Sequence, residues 1–211
     1  MIFAVLPVKN PQNAKQRLQG FLSASERETL ARILFRQTLL ALCHAKGIDQ
    51  VAVATNDLEV AEQARRSGSL VFPEEEQLSH SASADAACLQ AMKLGATTVL
   101  LVPIDVPLAT PAHFSQLSAA ARPGLIVVPS ADGTGTNALA RTPPDVIESR
   151  FGPGSCVAHM EQARSKGVHA EVLRLPGLMF DIDTPEDVAE LLSGSHHNDA
   201  AAFLQTVCAS R

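Results

Sequence analysis

Apolar runs of strand length alternate with apolar stripes of helical spacing from the first residue of the chain. Ile2 to Val8 is an unbroken apolar run, read as a buried strand and followed by a polar loop through Lys15 and Arg17. Ser23-Ala24-Ser25-Glu26 is a capping box, and Leu30, Ile33, Leu34, Leu39 and Leu42 recur at helical spacing, which predicts a long helix ending at Gly47. Strands are predicted at Val51 to Thr55, Leu70 to Phe72, Thr97 to Val102, Leu125 to Val128 and Ala170 to Leu175. Between them the pattern predicts helices over Leu58 to Arg66, Ser83 to Leu94, Pro111 to Ala120 and Ser155 to Lys166, the last with Ser155 as its cap, and another from Pro185. Glu74 to Glu76 reads as an acidic loop, and Asp132 to Gly135 as a glycine-rich turn.

Strands that alternate with helices imply an α/β domain whose mainly parallel sheet is covered by helices on both faces. Ligands in such sheets bind beyond the carboxyl ends of the strands, so the loops after the first strand, around Asp105 and around Asp181 can share one crevice. No linker or repeat divides the chain, which predicts one domain over residues 1–193 and a tail over 194–211. That tail is expected to pack poorly until Ala200 to Cys208, where a short amphipathic helix fits the pattern.

Composition narrows the partners. With 211 residues, 46% hydrophobic and 18% charged, the chain has material for a real core. The net charge of −5 and the lack of basic runs argue against a nucleic-acid surface. No stretch is apolar enough to cross a bilayer, and Cys43, Cys88, Cys156 and Cys208 are scattered without metal spacing, so a reduced, cytoplasmic setting is expected. Oligomeric state is open, a homodimer included.

Phe180-Asp181-Ile182-Asp183-Thr184-Pro185 carries the sharpest chemistry. Residues at i and i+2 of an extended segment point the same way, so both aspartates can face one ligand, and Thr184-Pro185 starts a helix. Capping alone would also explain Asp183. A second isolated acid, Asp105, lies between Pro103 and Pro107 after an otherwise apolar strand. Together they provide oxygen-only ligands for a hard cation such as Mg2+, as a metal-assisted nucleotide site needs. Lys9, Lys15 and Arg17 place three cations in the first loop, which suits a triphosphate or plain solvated surface; neither a Walker loop nor a GxGxxG turn is present. Gly133-Thr134-Gly135-Thr136-Asn137 allows close ligand approach or a simple hairpin. Phe151-Gly152-Pro153-Gly154-Ser155 opens a helix whose free N–H groups suit an anion, with His159 one turn on. No GxSxG or Cys–His pair offers a nucleophile, which favours direct phosphoryl-type transfer.

In this order, Leu6-Pro7-Val8-Lys9, Ala14-Lys15-Gln16-Arg17-Leu18, Leu22-Ser23, Val102-Pro103-Ile104-Asp105-Val106-Pro107-Leu108, Gly135-Thr136-Asn137-Ala138-Leu139, Phe151 to Ser155 and Asp181 to Pro185 resemble the 2-phospho-L-lactate guanylyltransferase family of deazaflavin coenzyme F-420 biosynthesis. The resemblance implies a single-domain nucleotidyltransferase fold of the glycosyltransferase-A-like type. It also implies transfer of GMP from GTP to 2-phospho-L-lactate, phosphoenolpyruvate or 3-phospho-D-glycerate, with release of pyrophosphate. By the same resemblance Asp105 and one of Asp183 and Asp181, Asp183 preferred, hold Mg2+; Lys15 and Arg17 join Asp105 in catalysis. Leu6, Val8, Lys9 and Lys15 fall to the nucleotide, and Thr136, Gly152 and Ser155 to the acceptor. The family's usual Leu-Asn before the base-contacting helix is Leu78-Ser79 here, so Ser83 or Asp85 is expected at the base. Other classes stay open, namely a molybdopterin- or sugar-nucleotide enzyme of the same fold, whose usual Leu-Ala-Gly-Gly opening is missing, and a non-catalytic nucleotide-binding module.

Overall fold

The computed structural model describes residues 1–74 and 79–210. Glu75 and Glu76 of the expected acidic loop, and Leu78, lie outside the described residues.

Seven strands form one sheet in the order β3-β2-β1-β4-β6-β5-β7. They are β1 (Ile2–Pro7), β2 (Gln50–Thr55), β3 (Leu70–Pro73), β4 (Thr98–Leu101), β5 (Gly124–Pro129), β6 (Thr136–Thr142) and β7 (Ala170–Val172). All pairs run parallel except those made by β6, which is antiparallel to both β4 and β5. The mainly parallel, helix-flanked sheet is therefore as expected, but β6 was not anticipated. Its first six residues are buried, so neither period-2 alternation nor a β-branched run marked it. The glycine turn before it is also the β5–β6 hairpin connection.

The reversal of β6 matters for function. Parallel β1 and β4 deliver their C-terminal loops to one edge of the sheet, and antiparallel β6 delivers its first residues, Thr136 and Asn137, to that same edge. One strand thus supplies side chains where its neighbours supply loops.

Helices α1 (Ala24–Cys43), α2 (Leu58–Arg66), α3 (His80–Lys93), α4 (Pro111–Ala120), α5 (Ser155–Ser165), a single-turn α6 (Pro176–Met179), α7 (Pro185–Ser193) and α8 (Asp199–Ala209) complete the chain. The capping box before α1 forms: Glu26 N–H donates to Ser23 Oγ at 3.3 Å and Ser23 N–H to Glu26 Oε2 at 2.6 Å. Two apolar clusters lie on either side of the sheet's alternating side chains. One gathers Ala4, Leu6, Phe35, Leu100 and Phe114, and the other Phe3, Val5, Ala87, Val99 and Leu139. A third packs α8 residues Leu204 and Val207 with Leu30, Leu34, Phe180 and Ile182. The expected tail helix is therefore a packed element.

Two local assignments differ from expectation. β7 stops at Val172, and α6 separates it from Asp181 and Asp183, so these acids follow a helical turn and not a strand end. Gly154, at φ 73°, is the N-cap of α5, which makes Ser155 the first helical residue and not the cap.

Candidate active site

A crevice of about 770 Å³ opens at the edge where β6 starts, and Arg17, Asp105, Thr136, Gly152, Ser155, Asp181 and Asp183 all line it. Residues far apart in sequence are therefore brought together as expected. Ile182 explains how the acids are aimed. Its side chain is fully buried, and its N–H donates to Asp105 O at 3.1 Å, which fastens the Asp-bearing segment to the β4 loop. Its two neighbours then point into the crevice.

The electrostatic centre is Lys15. Its Nζ lies 3.1 Å from Asp105 Oδ2 and 2.9 Å from Asp183 Oδ1, with a side chain only 6% exposed. Arg17 Nη1 reaches Asp183 Oδ2 at 3.4 Å from a far more exposed position. Lys15 holds a left-handed backbone (φ 53°, ψ 42°), which costs a non-glycine residue about 1–3 kcal/mol and is sustained here by the two ion pairs that hold the ammonium. Burial alone would lower the Lys15 pKa, but Asp105 and Asp183 overcome it and raise the value. Burial likewise pushes Asp105 up, yet Lys15 outweighs it and holds the carboxyl below its ordinary range.

The third acid differs. Asp181 Oδ1 accepts from Asn137 Nδ2 at 3.0 Å, and Asn137 also donates to Leu178 O and Met179 O. Burial raises the Asp181 pKa; the Asn137 hydrogen bond offsets part of this, while Asp105 and Asp183 add to it. Among the described residues no three His, Cys, Asp or Glu side chains gather as a metal cage. Of the two acids expected as alternatives beside Asp105, Asp183 shares the Lys15 ammonium with Asp105, whereas Asp181 is turned to Asn137. The pair does fit a hard cation: both carboxylates already converge on one positive nitrogen, and Mg2+ uses one or two carboxylates plus waters and substrate phosphates. Helix capping falls to Thr184 Oγ1 and Asp187, which leaves the Asp183 carboxylate free for these contacts.

On the opposite side, the glycine turn is braced by Asp132. Its Oδ1 accepts from Ser130 Oγ at 2.5 Å and Thr134 N–H at 2.9 Å, and these bonds hold its pKa at about 2. Cys156 N–H donates to Thr134 O at 3.1 Å, and Ser155 N–H to Gly152 O at 3.1 Å. These bonds engage two of the N–H groups at the helix start that was expected to suit an anion, and the Ser155 side chain lines the crevice. Thr136 Oγ1 lies 3.1 Å from His159 Nδ1, whose ring is fully buried.

The expected nucleotide residues divide. Lys9 Nζ pairs with Glu74 Oε2 at 3.4 Å, and Ser83 Oγ donates to Glu74 Oε1, so these three meet at the ends of β1 and β3. Leu6 and Val8 have their side chains in the core, and Val8 N–H donates to Ala54 O at 2.8 Å, which leaves neither side chain for a ligand. Asp85 accepts from buried Arg141 at 2.8 Å and from Ser149 N–H at 3.0 Å, a structural network that engages its carboxylate. Ser79, where the family pattern departs, caps α3 by accepting from Ala82 N–H at 3.2 Å.

Asn137 and His80 were missed as site residues. His80 lines the crevice, with its ring edge-on to Phe151 at 4.9 Å. Burial lowers its pKa, with Asp105 pulling it up and Lys9 down. Only the helix cap at Ser79 could have signalled its placement.

The family model for guanylyl transferase CofC like matches residues 2–210. Among curated proteins, the chain is similar to a phosphoenolpyruvate guanylyltransferase of Sphaerobacter thermophilus, with 39% identity over 89% of this chain and 91% of the relative. It is also similar to a 2-phospho-L-lactate guanylyltransferase of Methanothermobacter thermautotrophicus, with 32% identity over 96% and 89%. Among solved structures, a protein described as a candidate nucleotide-diphospho-sugar transferase of Desulfovibrio desulfuricans superposes with a TM-score of 0.78, at 17% identity, over 99% of this chain and 95% of that one. This last likeness is one of fold. Among the described residues no helix is long and apolar enough to cross a membrane.

Proposed function

Because the chain belongs to the CofC-like guanylyl transferase family, we propose that its crevice transfers GMP from GTP to a small phosphorylated carboxylate, with release of pyrophosphate, in biosynthesis of the deazaflavin coenzyme F-420. The observation that carries this reading is the pairing of Asp105 and Asp183 about one cation, in the same crevice as the hydroxyls of Thr136 and Ser155. Such a crevice serves both a polyphosphate and a small anion.

An oxygen of the acceptor's phosphate attacks the α-phosphorus of GTP, a P–O bond forms there, and the bond to the β-phosphate oxygen breaks. The attacking phosphate is already anionic near neutral pH, so no side chain need remove a proton. Lys15 and Arg17 supply positive charge for the departing pyrophosphate. Thr136 and Ser155 hold the acceptor by hydroxyl donation, and the glycine backbone at Gly152 lets it approach. Lys9, Ser83 and Glu74 lie at the strand ends on the nucleotide side. Mg2+, held by Asp105 and Asp183, would neutralise phosphate oxygens of the triphosphate.

The acceptor is read from relatives with different substrates, so incubation with GTP, Mg2+ and each of phosphoenolpyruvate, 2-phospho-L-lactate and 3-phospho-D-glycerate is the direct test. A guanylylated product by mass, with pyrophosphate released in equal amount and turnover lost on chelation, is expected. Pyrophosphate release without a guanylylated acceptor would refute the reading.

A further inference from the structure

His159 takes no part in the chemistry above, yet its two ring nitrogens are both engaged. Arg150 N–H donates to Nε2 at 2.8 Å, and Thr136 Oγ1 lies 3.1 Å from Nδ1. A backbone N–H can only donate, so Nε2 must be unprotonated, and a neutral imidazole then carries its one proton on Nδ1. The bond to Thr136 therefore runs from His159 Nδ1–H to Thr136 Oγ1. Edge-on packing of Phe151, with ring centroids 5.4 Å apart, holds the imidazole in place.

We propose that His159 is a positioning residue for the acceptor: by donating from Nδ1 to Thr136 Oγ1, it directs the Thr136 hydroxyl hydrogen into the crevice, toward the acceptor's anionic oxygens. This rests on Thr136 binding the acceptor, as proposed above. A free threonine hydroxyl rotates and can present a lone pair, which repels an anion; once its oxygen accepts from His159, its hydrogen remains to be donated. Among the described residues the Thr136 hydroxyl has no other hydrogen-bond partner. The ring stays neutral at neutral pH: burial lowers its pKa to about 4, with Arg141 and Arg150 adding to this and Asp85 opposing it.

Nuclear magnetic resonance of the full chain with 15N-labelled histidine, His159 assigned by difference from His159→Gln, reads the tautomer directly. Nε2 is expected bare and Nδ1 protonated from pH 6 to 8, and a protonated Nε2 overturns the proposal. Kinetics reads the consequence. His159→Asn retains an amide N–H near the Nδ1 position and should hold the acceptor KM close to the native value. His159→Gln places an amide near Nε2, loses the donor to Thr136, and should raise the acceptor KM about 5- to 10-fold with kcat and the GTP KM unchanged. In a Thr136→Val background the same change should add nothing. Equal behaviour of the Asn and Gln variants, or an additive effect in that background, overturns the role of His159 alone. If Thr136→Val leaves the acceptor KM unchanged, the acceptor site itself is misplaced and this inference fails with it. Should a His159 variant not fold, the tautomer in the native chain still decides.

Discussion

Removing the Lys15 ammonium while keeping its bulk, as in Lys15→Met, should convert a neutralised acid pair into a repelling one. Breaking a fully buried ion pair costs about 3–5 kcal/mol. Here Asp105 and Asp183 are 28% and 34% exposed, so solvent takes up part of the loss. Release of the left-handed backbone at residue 15, once its ion pairs are gone, offsets a further part. A net loss of about 1–3 kcal/mol is expected, read as a fall in the urea midpoint. The pH dependence should also change sign. In the native chain Asp105 has a folded pKa below its unfolded value of about 3.9, so its stabilisation is present above that pH and is lost as pH falls through the folded value. Without Lys15, burial dominates and the folded pKa rises above the unfolded one. The contribution is then full at low pH and is lost as pH rises through the raised value. Urea curves at several pH values between 3 and 7, with and without Mg2+, test both claims. Mg2+ should restore more stability to Lys15→Met than it adds to the native chain, since the cation then meets two carboxylates that have lost the ammonium they shared. A variant as stable as the native chain, with an unchanged pH slope and no greater response to Mg2+, would refute the reasoning.

Asp105→Asn should abolish turnover without unfolding the chain; near-native activity at saturating Mg2+ in a steady-state assay would remove it from the site. Asp183→Asn should raise the Mg2+ concentration needed for half-maximal rate far more than Asp181→Asn, because Asp181 is held by Asn137; the reverse order in a Mg2+ titration would exchange their roles. Thr136→Ala and Ser155→Ala should each weaken acceptor binding about 10- to 150-fold, the loss of a hydrogen bond to a charged group, with GTP binding little changed. Titration of both ligands checks this, and a loss confined to GTP would place the substrates the wrong way round. Asp85→Ala should cost about 2–4 kcal/mol in urea unfolding by stranding Arg141, which is 1% exposed, its own partial exposure trimming the full figure; a loss under about 1 kcal/mol would show that Arg141 finds other partners.

Local signals read well wherever the cause is local. Ser23 and Glu26 mark a helix start because each satisfies the other's backbone N–H, and Thr184-Pro185 does so through the Thr184 hydroxyl and a ring that needs no donor. α2 and α4 have the expected bounds for the same reason. β6 escaped because its burial on both faces erases alternation, and because Arg141, a charge in mid-strand, is buried against Asp85 on a distant helix and Ser149. The strand-end rule put the Lys15 loop and the aspartates in one crevice and the family resemblance added Thr136, Gly152 and Ser155, but neither could say which were already spoken for. Lys15 pairs with acids 90 and 168 positions away, and Asp85 is consumed by Arg141 from 56 away. Such choices depend on the finished packing, as does the pairing of His159 with Thr136.

The same separations bear on how the molecule comes to be active. Lys15 lies in the loop after the first strand, and its partner Asp183 is translated after all seven strands. Until α7 has started and the chain has closed back on the first loop, the two acids and the ammonium cannot meet. Ile182, which aims Asp183, rests in the cluster that α8 completes with Leu204 and Val207. A nascent chain or a fragment lacking these last turns would therefore hold all seven strands and yet lack the pairing of Asp183 with Lys15. Competence toward nucleotide should appear abruptly, with the docking of the final helix, rather than gradually as the sheet grows.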